Sequence, residues 1–272
     1  IELTKEEILT NKIAESFIHF DKEYIEPPTY LGILDTFTGK VSRVCTPGNI
    51  SAITGKAKSK KSFLQTMFIA SCAKNGVLQN KISSNLPMEK SQILVFDTEQ
   101  SKYDVSRITN RVSNLIGYQP DTVGVFSLRG MAAAEIIELI EYALVLYKYT
   151  GMIFIDQVAD LAKSINSEEE AVAIVRWLER LSKERDLHIC CVIHQNKGDG
   201  HATGWLGSQI MKKAETVISV EKDENNKDVS HIKPSLTRSR EFDEFSISIN
   251  DVGIPMVLSE AEAKNYRNDS EF

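Results

Sequence analysis

The sequence has few of the features that would place it in a membrane or outside the cell. No stretch approaches the roughly 18 consecutive apolar residues that a membrane-spanning helix needs. Only 4 residues in 272 are cysteines. Two of them, Cys190 and Cys191, are adjacent and would point to opposite faces of a strand, so they make a poor disulfide pair. We therefore expect a cytoplasmic chain with reduced cysteines and no membrane partner.

An excess of positive charge is also missing. The 32 Lys and Arg residues face 38 Asp and Glu residues, and the net charge is -6 at pH 7. An acidic chain is not a general binder of polyanions, so any contact with nucleic acid must come from a local basic patch. The composition is otherwise that of a soluble globular protein, with 42% hydrophobic and 26% charged residues. Its length suits one large core with small appendages.

Apolar runs that alternate with helical patterns predict an α/β fold. Strands are predicted at 49–54, 93–97, 123–128, 152–156 and 188–193, and helices at 4–17, 62–74, 101–116, 132–147, from Ser167 onward and near 207–214. This alternation indicates a mostly parallel sheet with helices on both faces. Strand-like runs near 216–221, 231–236 and 244–250 have no helices between them, which predicts a C-terminal antiparallel extension.

One glycine is missing at the most informative place. Residues 55–62, GKAKSKKS, follow the phosphate-binding pattern G-x-x-x-x-G-K-[ST], except that Lys60 stands where the second glycine belongs. A buried strand precedes this stretch and a helix follows it, as a cradle of backbone N–H groups requires. Lys61 is placed to reach the β- and γ-phosphates of a nucleotide, and Ser62 to ligate Mg²⁺. The alternative is a solvated lysine turn, which would need neither the strand nor the hydroxyl.

The extra lysine changes the chemistry expected of this loop. The pattern has glycine because the backbone bends tightly against phosphate, whereas Lys60 brings a Cβ atom and a further charge. We expect neighbouring lysines to repel one another until an anion arrives, which favours a triphosphate or another polyanion. Nucleotide binding is predicted to be kept, with Lys60 as a candidate brake on turnover. The predicted binding residues of the loop are Gly55, Lys56, Ala57, Lys58, Ser59, Lys60, Lys61, Ser62 and Phe63.

Two acids at strand ends complete the predicted site. Asp156 ends an apolar strand and would hold the Mg²⁺ shell beside the loop, unless it only caps the next turn. Gln157 follows it, and a neutral amide cannot accept a proton from water. Glu99, at the end of another strand, is the candidate base, since strand-end acids in α/β sheets point into the ligand crevice. The alternative is that Glu99 caps the helix that starts near Ser101.

The order of these segments resembles that of the RecA-like ATPases, and within them the plasmid-replication hexameric helicase group typified by RepA. The resemblance covers roughly residues 28–258. ITGKAKSKKSF resembles the Walker A segment of that group, FDTEQ the strand end with the catalytic glutamate, and IFIDQVADL the Walker B strand. CVIHQNK resembles the segment that senses the γ-phosphate and leads into a DNA-contacting loop, and LTRSRE resembles the basic finger that reaches a neighbouring subunit's nucleotide.

The resemblance implies roles for residues outside the loop. Carried over by position, Glu99 would be the base that orients water. His194 or Gln195 would sense the γ-phosphate, and Arg238 or Arg240 would be the finger. If the two arginines lie on a strand, both side chains point to one face; the alternative is that they form surface ion pairs with nearby acids.

The glycine-rich stretch at 196–209 is predicted to be a loop. Lys197, His201 and Trp205 could supply phosphate contacts and base stacking to single-stranded DNA. The alternative is a loop whose Trp205 packs into the core. The nearby run HICCVIH has the composition of a zinc site, but its cysteines fall in mid-strand, so we predict core packing and no metal there.

The resemblance implies an ATP-binding RecA-like NTPase that uses ATP and Mg²⁺. It implies a homo-oligomeric ring, such as a hexamer, that acts as a DNA-dependent ATPase or helicase for a plasmid or mobile element. One open alternative is an ATP-binding switch or scaffold with weak hydrolysis and no DNA translocation, and a more distant one is a small-molecule kinase. The expected parts are an N-terminal helix and linker (1–28), a RecA-like ATPase domain (29–258) and a C-terminal tail (259–272).

Overall fold

The computed structural model describes residues 3–164, 166–195, 204–259 and 261–263. The strands in these ranges are β1 (Leu31–Leu34), β2 (Val41–Cys45), β3 (Ile50–Gly55), β4 (Val77–Leu78), β5 (Ile82–Ser84), β6 (Gln92–Asp97), β7 (Val123–Ser127), β8 (Thr150–Asp156), β9 (His188–His194), β10 (Thr216–Lys222), β11 (Val229–Thr237), β12 (Phe245–Ile249) and β13 (Pro255–Val257). The α-helices are α1 (Lys5–Ser16), α2 (Lys61–Lys74), α3 (Lys102–Ile116), α4 (Ala133–Leu146), α5 (Glu168–Glu184) and α6 (Gly204–Lys213).

One large mixed sheet forms the centre of the molecule. Its nine strands follow the order β13-β12-β11-β10-β3-β9-β8-β6-β7. The six strands from β10 to β7 are parallel to one another. Strands β11, β12 and β13 add antiparallel pairs beyond β10. The predicted α/β architecture with a C-terminal antiparallel extension is therefore confirmed.

A small antiparallel sheet, ordered β2-β1-β5-β4, lies beside the large one. The sequence predicted neither β4 nor β5. These strands have two and three residues, which is too short for an alternating pattern to stand out. They form because β1 supplies a pairing partner for β5.

Two hydrophobic layers cover the large sheet, one on each face. Strand β6 shows how they separate, since Ile93 and Val95 belong to one layer while Leu94 and Phe96 belong to the other. This is the period-two alternation of a strand that is buried on both faces. Helices α2 and α3 pack in the first layer, and α4, α5 and α6 pack in the second.

Helix α1 begins with a capping box, in which Thr4 and Glu7 bond reciprocally. Its apolar side chains do not reach the core, and residues 3–28 are all exposed. The proposed boundary at residue 28 therefore coincides with the first buried strand, but the division into parts stays a prediction. No helix in the described ranges is both long and apolar enough to cross a bilayer.

Gly151, at the start of β8, offers a test of the packing. A Cβ atom there would overlap the backbone oxygen of Lys90, which cannot turn away as a flexible side chain would. We expect Gly151→Ala to lower the free energy of unfolding by about 1–3 kcal/mol, as overpacking does. The matched control is Gly76→Ala, because an added Cβ there meets nothing within 4 Å. Urea unfolding measures both, and equal stability of the two variants would contradict this packing.

Candidate nucleotide-binding site

The loop between β3 and α2 is shaped by the strand beside it. Gly55 ends β3, and a Cβ atom on it would overlap the backbone oxygen of Val220 in β10 and the hydroxyl of Ser59. Only glycine fits this close approach. The Ser59 hydroxyl is buried and has no hydrogen-bond partner among the described residues. The strand–loop–helix context that the sequence predicted is therefore present, with a polar atom left unpaired inside the loop.

Lys60 occupies the position of the missing glycine with a glycine-like backbone. Its φ of 72° and ψ of 30° lie in the left-handed region, which costs a non-glycine residue roughly 1–2 kcal/mol. Its ammonium group donates to the backbone oxygen of Lys227 at 2.5 Å and lies 3.9 Å from Asp228. The charge of Lys60 is therefore directed at the turn between β10 and β11. The expectation that it adds to a cluster of mutually repelling lysines does not hold.

Lys61 begins α2 and is buried at the mouth of the loop. Its ammonium donates to the backbone oxygens of Gly55 at 2.9 Å and Lys56 at 3.0 Å, and lies 3.0 Å from Nδ1 of His194. Burial lowers the pKa of Lys61 to about 8, although Asp156 and Glu99 act in the opposite direction. The predicted phosphate-binding lysine is thus already surrounded by acceptors.

Ser62 and Asp156 meet beside this lysine. The Ser62 hydroxyl donates to the Asp156 carboxylate at 3.1 Å. Burial, followed by the neighbouring Asp97, raises the pKa of Asp156 to about 7. A buried carboxylate next to a hydroxyl is a set of oxygen ligands that suits Mg²⁺, and a cation would offset the unfavourable charge. These residues therefore fit a Mg²⁺ ion carried by a nucleotide.

Glu99 lies just beyond β6 and faces the same crevice. Its Oε2 atom is 3.2 Å from Nε2 of His194, and its backbone N–H donates to Asp97 at 3.0 Å. The cap of α3 is Ser101, whose hydroxyl accepts from the backbone of Asp104. The alternative in which Glu99 is only a helix cap is therefore wrong, whereas its role as base stays a prediction.

Asp97 is the residue of this site that sequence reasoning missed. It is buried, and it lies opposite Asp156 in the pairing of β6 with β8. It accepts hydrogen bonds from the backbone and side chain of Gln100, both at 2.7 Å. The sequence did offer a signal for Asp97. It is the last residue of the strand ILVFD, two residues before the candidate base Glu99.

The end of β9 adds the two candidate sensors. His194 pairs with Gly55, and the backbone N–H of Gln195 donates to the Gly55 oxygen at 3.1 Å. Further back on the same strand, His188 is buried and its ring contacts the backbone oxygen of Thr46 and the hydroxyl of Ser51. His188 therefore packs in the core, as predicted.

The candidate DNA-contact residues are only partly described. Lys197 and His201 lie outside the described residues. Trp205 lies in the first turn of α6, where the sequence predicted a loop up to residue 209. It is 43% exposed, so the alternative that packs Trp205 into the core is wrong.

Arg238 and Arg240 lie away from their own chain's loop. They follow the end of β11, so their prediction as strand residues that share one face is wrong. Thr237 pairs with Thr216 at the start of β10, whereas the loop lies beside the end of β10. Arg238 donates to the backbone oxygen of Lys213 at 2.8 Å. Both side chains are exposed.

Comparisons with known proteins agree with this geometry. A family model described as an AAA domain matches residues 41–200, which is more than half of the chain. A search of curated proteins finds no match. Among solved structures, a KaiC-like protein from the hyperthermophilic archaeon Pyrococcus horikoshii matches with a TM-score of 0.59 and 12% identity, covering 87% of this chain and 100% of that one. At this identity the likeness concerns the fold, and the RecA-like fold is confirmed.

The buried Asp156 carboxylate predicts a pH-dependent stability. Its pKa is about 7 in the folded protein against an ordinary 3.8, so the folded state holds the proton longer than the unfolded state does. Stability without nucleotide and Mg²⁺ should therefore fall as pH rises from about 4 to about 7. Asp156→Asn should flatten this slope and stabilise the protein at pH 8 by up to about 4 kcal/mol. Urea unfolding at several pH values measures it.

The control for this experiment is Asp121→Asn, because Asp121 is exposed. Its unfolding curves should follow those of the wild type across the pH range. A slope that persists unchanged in Asp156→Asn would show that another group carries the pH dependence.

Proposed function

Since the chain belongs to the AAA domain family and is an ATP-binding, RecA-like P-loop NTPase, we propose that it is a DNA-dependent ATP hydrolase. It would act as a helicase-like motor in the replication or mobilisation of a plasmid or another mobile element. The observation that carries the hydrolase is the convergence of Lys61, Ser62, Asp156 and Glu99 at one loop. The helicase part is supported by the resemblance of five segments in order.

Each group at the loop has a distinct task in this proposal. Backbone N–H groups at the start of α2 cradle the phosphates, and Lys61 reaches the β- and γ-phosphates. Ser62 and Asp156 hold the Mg²⁺, which neutralises charge on the phosphate oxygens. The proposed ATPase domain, residues 29–258, contains all of these groups, and a cytoplasmic location fits the reduced cysteines and the supply of ATP.

Glu99 is the group proposed for the chemical step. Its side chain is 53% exposed, so a water molecule can reach it, and it is within hydrogen-bonding distance of only one side chain among the described residues, His194. It would orient the attacking water and accept its proton. Gln157, next to Asp156, is an amide and cannot do this.

The substitution Glu99→Gln separates binding from chemistry. It keeps the shape of the side chain and removes the proton acceptor. We expect nucleotide affinity to stay within a few-fold while ATP turnover falls by about 10²–10⁴-fold, as on loss of a general base. Fluorescent-nucleotide titration and phosphate release measure the two quantities. Glu135→Gln, on the exposed side of α4, is the matched control. Undiminished turnover in Glu99→Gln would remove Glu99 from the mechanism.

A homo-oligomeric ring, such as a hexamer, would complete the site. Arg238 and Arg240 are exposed and far from their own loop along the sheet, which suits a finger that reaches the neighbouring subunit's nucleotide. Such an arginine typically contributes 10³–10⁵-fold in rate, whereas an exposed ion pair contributes at most about 1 kcal/mol to stability.

Mixing two inactive variants tests this shared site. Lys61→Ala should lose ATP binding, and Arg240→Ala should keep binding but lose turnover. Mixed assemblies contain interfaces with an intact loop on one side and an intact arginine on the other, so they should regain part of the ATPase rate. Phosphate release is measured as a function of the mixing ratio. No recovery, together with a monomeric mass at all concentrations with ATP, would rule out the finger.

The decisive experiment for the whole proposal is ATP hydrolysis with and without single-stranded DNA. Stimulation by DNA supports the motor, with Lys197, His201 and the exposed Trp205 as candidate DNA contacts. Slow hydrolysis that DNA does not change would favour an ATP-binding switch or scaffold instead. The contact between Glu99 and His194 favours this second candidate, because it occupies the carboxylate proposed as the base. A phosphorylated small molecule would indicate a kinase.

A further inference from the structure

All three N–H donors of Lys61 have partners within the chain. A lysine ammonium has three donors and no acceptor, and here they meet the oxygens of Gly55 and Lys56 and Nδ1 of His194. A phosphate that binds to this ammonium must therefore displace at least one of these three partners. The three distances lie between 2.9 and 3.0 Å, which is the ordinary length of a hydrogen bond.

The hydrogen-bonding state of His194 follows from these contacts. Lys61 can only donate, so Nδ1 of the imidazole accepts, and the ring proton of neutral His194 lies on Nε2. That nitrogen is 3.2 Å from Oε2 of Glu99, so it donates to the carboxylate. One imidazole therefore links the lysine proposed for phosphate binding to the glutamate proposed as the base.

The histidine is the partner of Lys61 that is easiest to displace. The Gly55 oxygen belongs to β3 and also accepts from the backbone of Gln195, so it is fixed by the sheet. The Lys56 oxygen belongs to the loop backbone itself. By contrast, His194 is a side chain at a strand end, 25% exposed, and its other partner Glu99 is 53% exposed. A partly exposed side chain at a strand end can turn away from its partner, which the two backbone oxygens cannot do.

We propose that His194 is a latch, which links Lys61 to Glu99 and is displaced when the terminal phosphates of a nucleoside di- or triphosphate reach Lys61. Displacement also removes the donor that occupies Glu99, so the carboxylate becomes free to receive water only once a phosphate is in place. His194 is then a positioning residue that acts through two others. This inference rests on the proposed function and differs from the sensor role, in which His194 would itself bind the γ-phosphate.

The latch predicts the direction of an affinity change. His194→Ala removes a competitor of the phosphate, so fluorescent Mg–ADP should bind about two- to tenfold more tightly, the range that corresponds to one net hydrogen bond. His194→Phe keeps a ring and removes both nitrogens, and it should have the same effect if Ala perturbs folding. His19→Ala, which removes an exposed histidine from the N-terminal segment, is the matched control and should leave the affinity unchanged.

NMR spectroscopy tests the latch without measuring enzymatic activity. In protein labelled with ¹⁵N in its histidine rings, the His194 signals are assigned by their loss in His194→Ala. Adding Mg–ADP should shift the Nδ1 signal as its bond to Lys61 breaks. Lys61→Ala should produce the same shift with no nucleotide present, and Glu99→Gln should move mainly the Nε2 signal.

The outcomes separate the latch from the function on which it rests. Weaker or unchanged binding in His194→Ala and His194→Phe, or an Nδ1 signal that does not move although Mg–ADP binds, would overturn the latch alone. Failure of the wild-type protein to bind Mg–ADP would overturn the proposed function. In that case the Lys61→Ala spectrum still decides whether the contact exists.

Discussion

The burial of the Lys61 ammonium is the constraint on which the arrangement of this site depends. A buried charge without partners costs several kcal/mol, so the fold must surround it with acceptors. The parallel order of β3 and β9 does this, because it brings the end of one strand, with Gly55, next to the end of the other, with His194. Neighbouring β8 and β6 then bring Asp156 and Glu99 within electrostatic reach of the same ammonium.

The acids around Lys61 would favour a nucleotide that carries a cation. The carboxylates of Asp97, Asp156 and Glu99 outnumber the single ammonium. Asp97 also raises the pKa of Asp156, which it faces across a strand pair. A free polyphosphate would meet this negative charge directly. A Mg²⁺ complex brings its own compensation to Asp156, so metal and nucleotide binding should be coupled through that carboxylate.

The strands, helices and loop around Lys61 could be predicted from the sequence. The contacts between residues far apart in the sequence could not. The strand, the loop and α2 follow from a buried run, a phosphate-loop pattern and a helical pattern within about 25 residues. The partner of Lys60, Lys227, lies 167 residues away, and that of Lys61, His194, lies 133 residues away. No periodicity encodes such contacts, because they depend on the order of strands in the sheet. Arg238 and Arg240 were misplaced for a similar reason, since a short polar run gives no sign of where β11 ends.

The loop also shows why a departure from a motif is not by itself a loss of the site. Glycine is the usual residue where the backbone is in the left-handed region, and Lys60 adopts that backbone in place of glycine. Its cost of about 1–2 kcal/mol is of the same size as a charged hydrogen bond, and Lys60 makes one to Lys227. Because its charge is directed away from the loop, a brake on turnover by repulsion at the phosphates is not supported. We expect an effect of Lys60 to act through the loop backbone, which its side chain attaches to the β10–β11 turn.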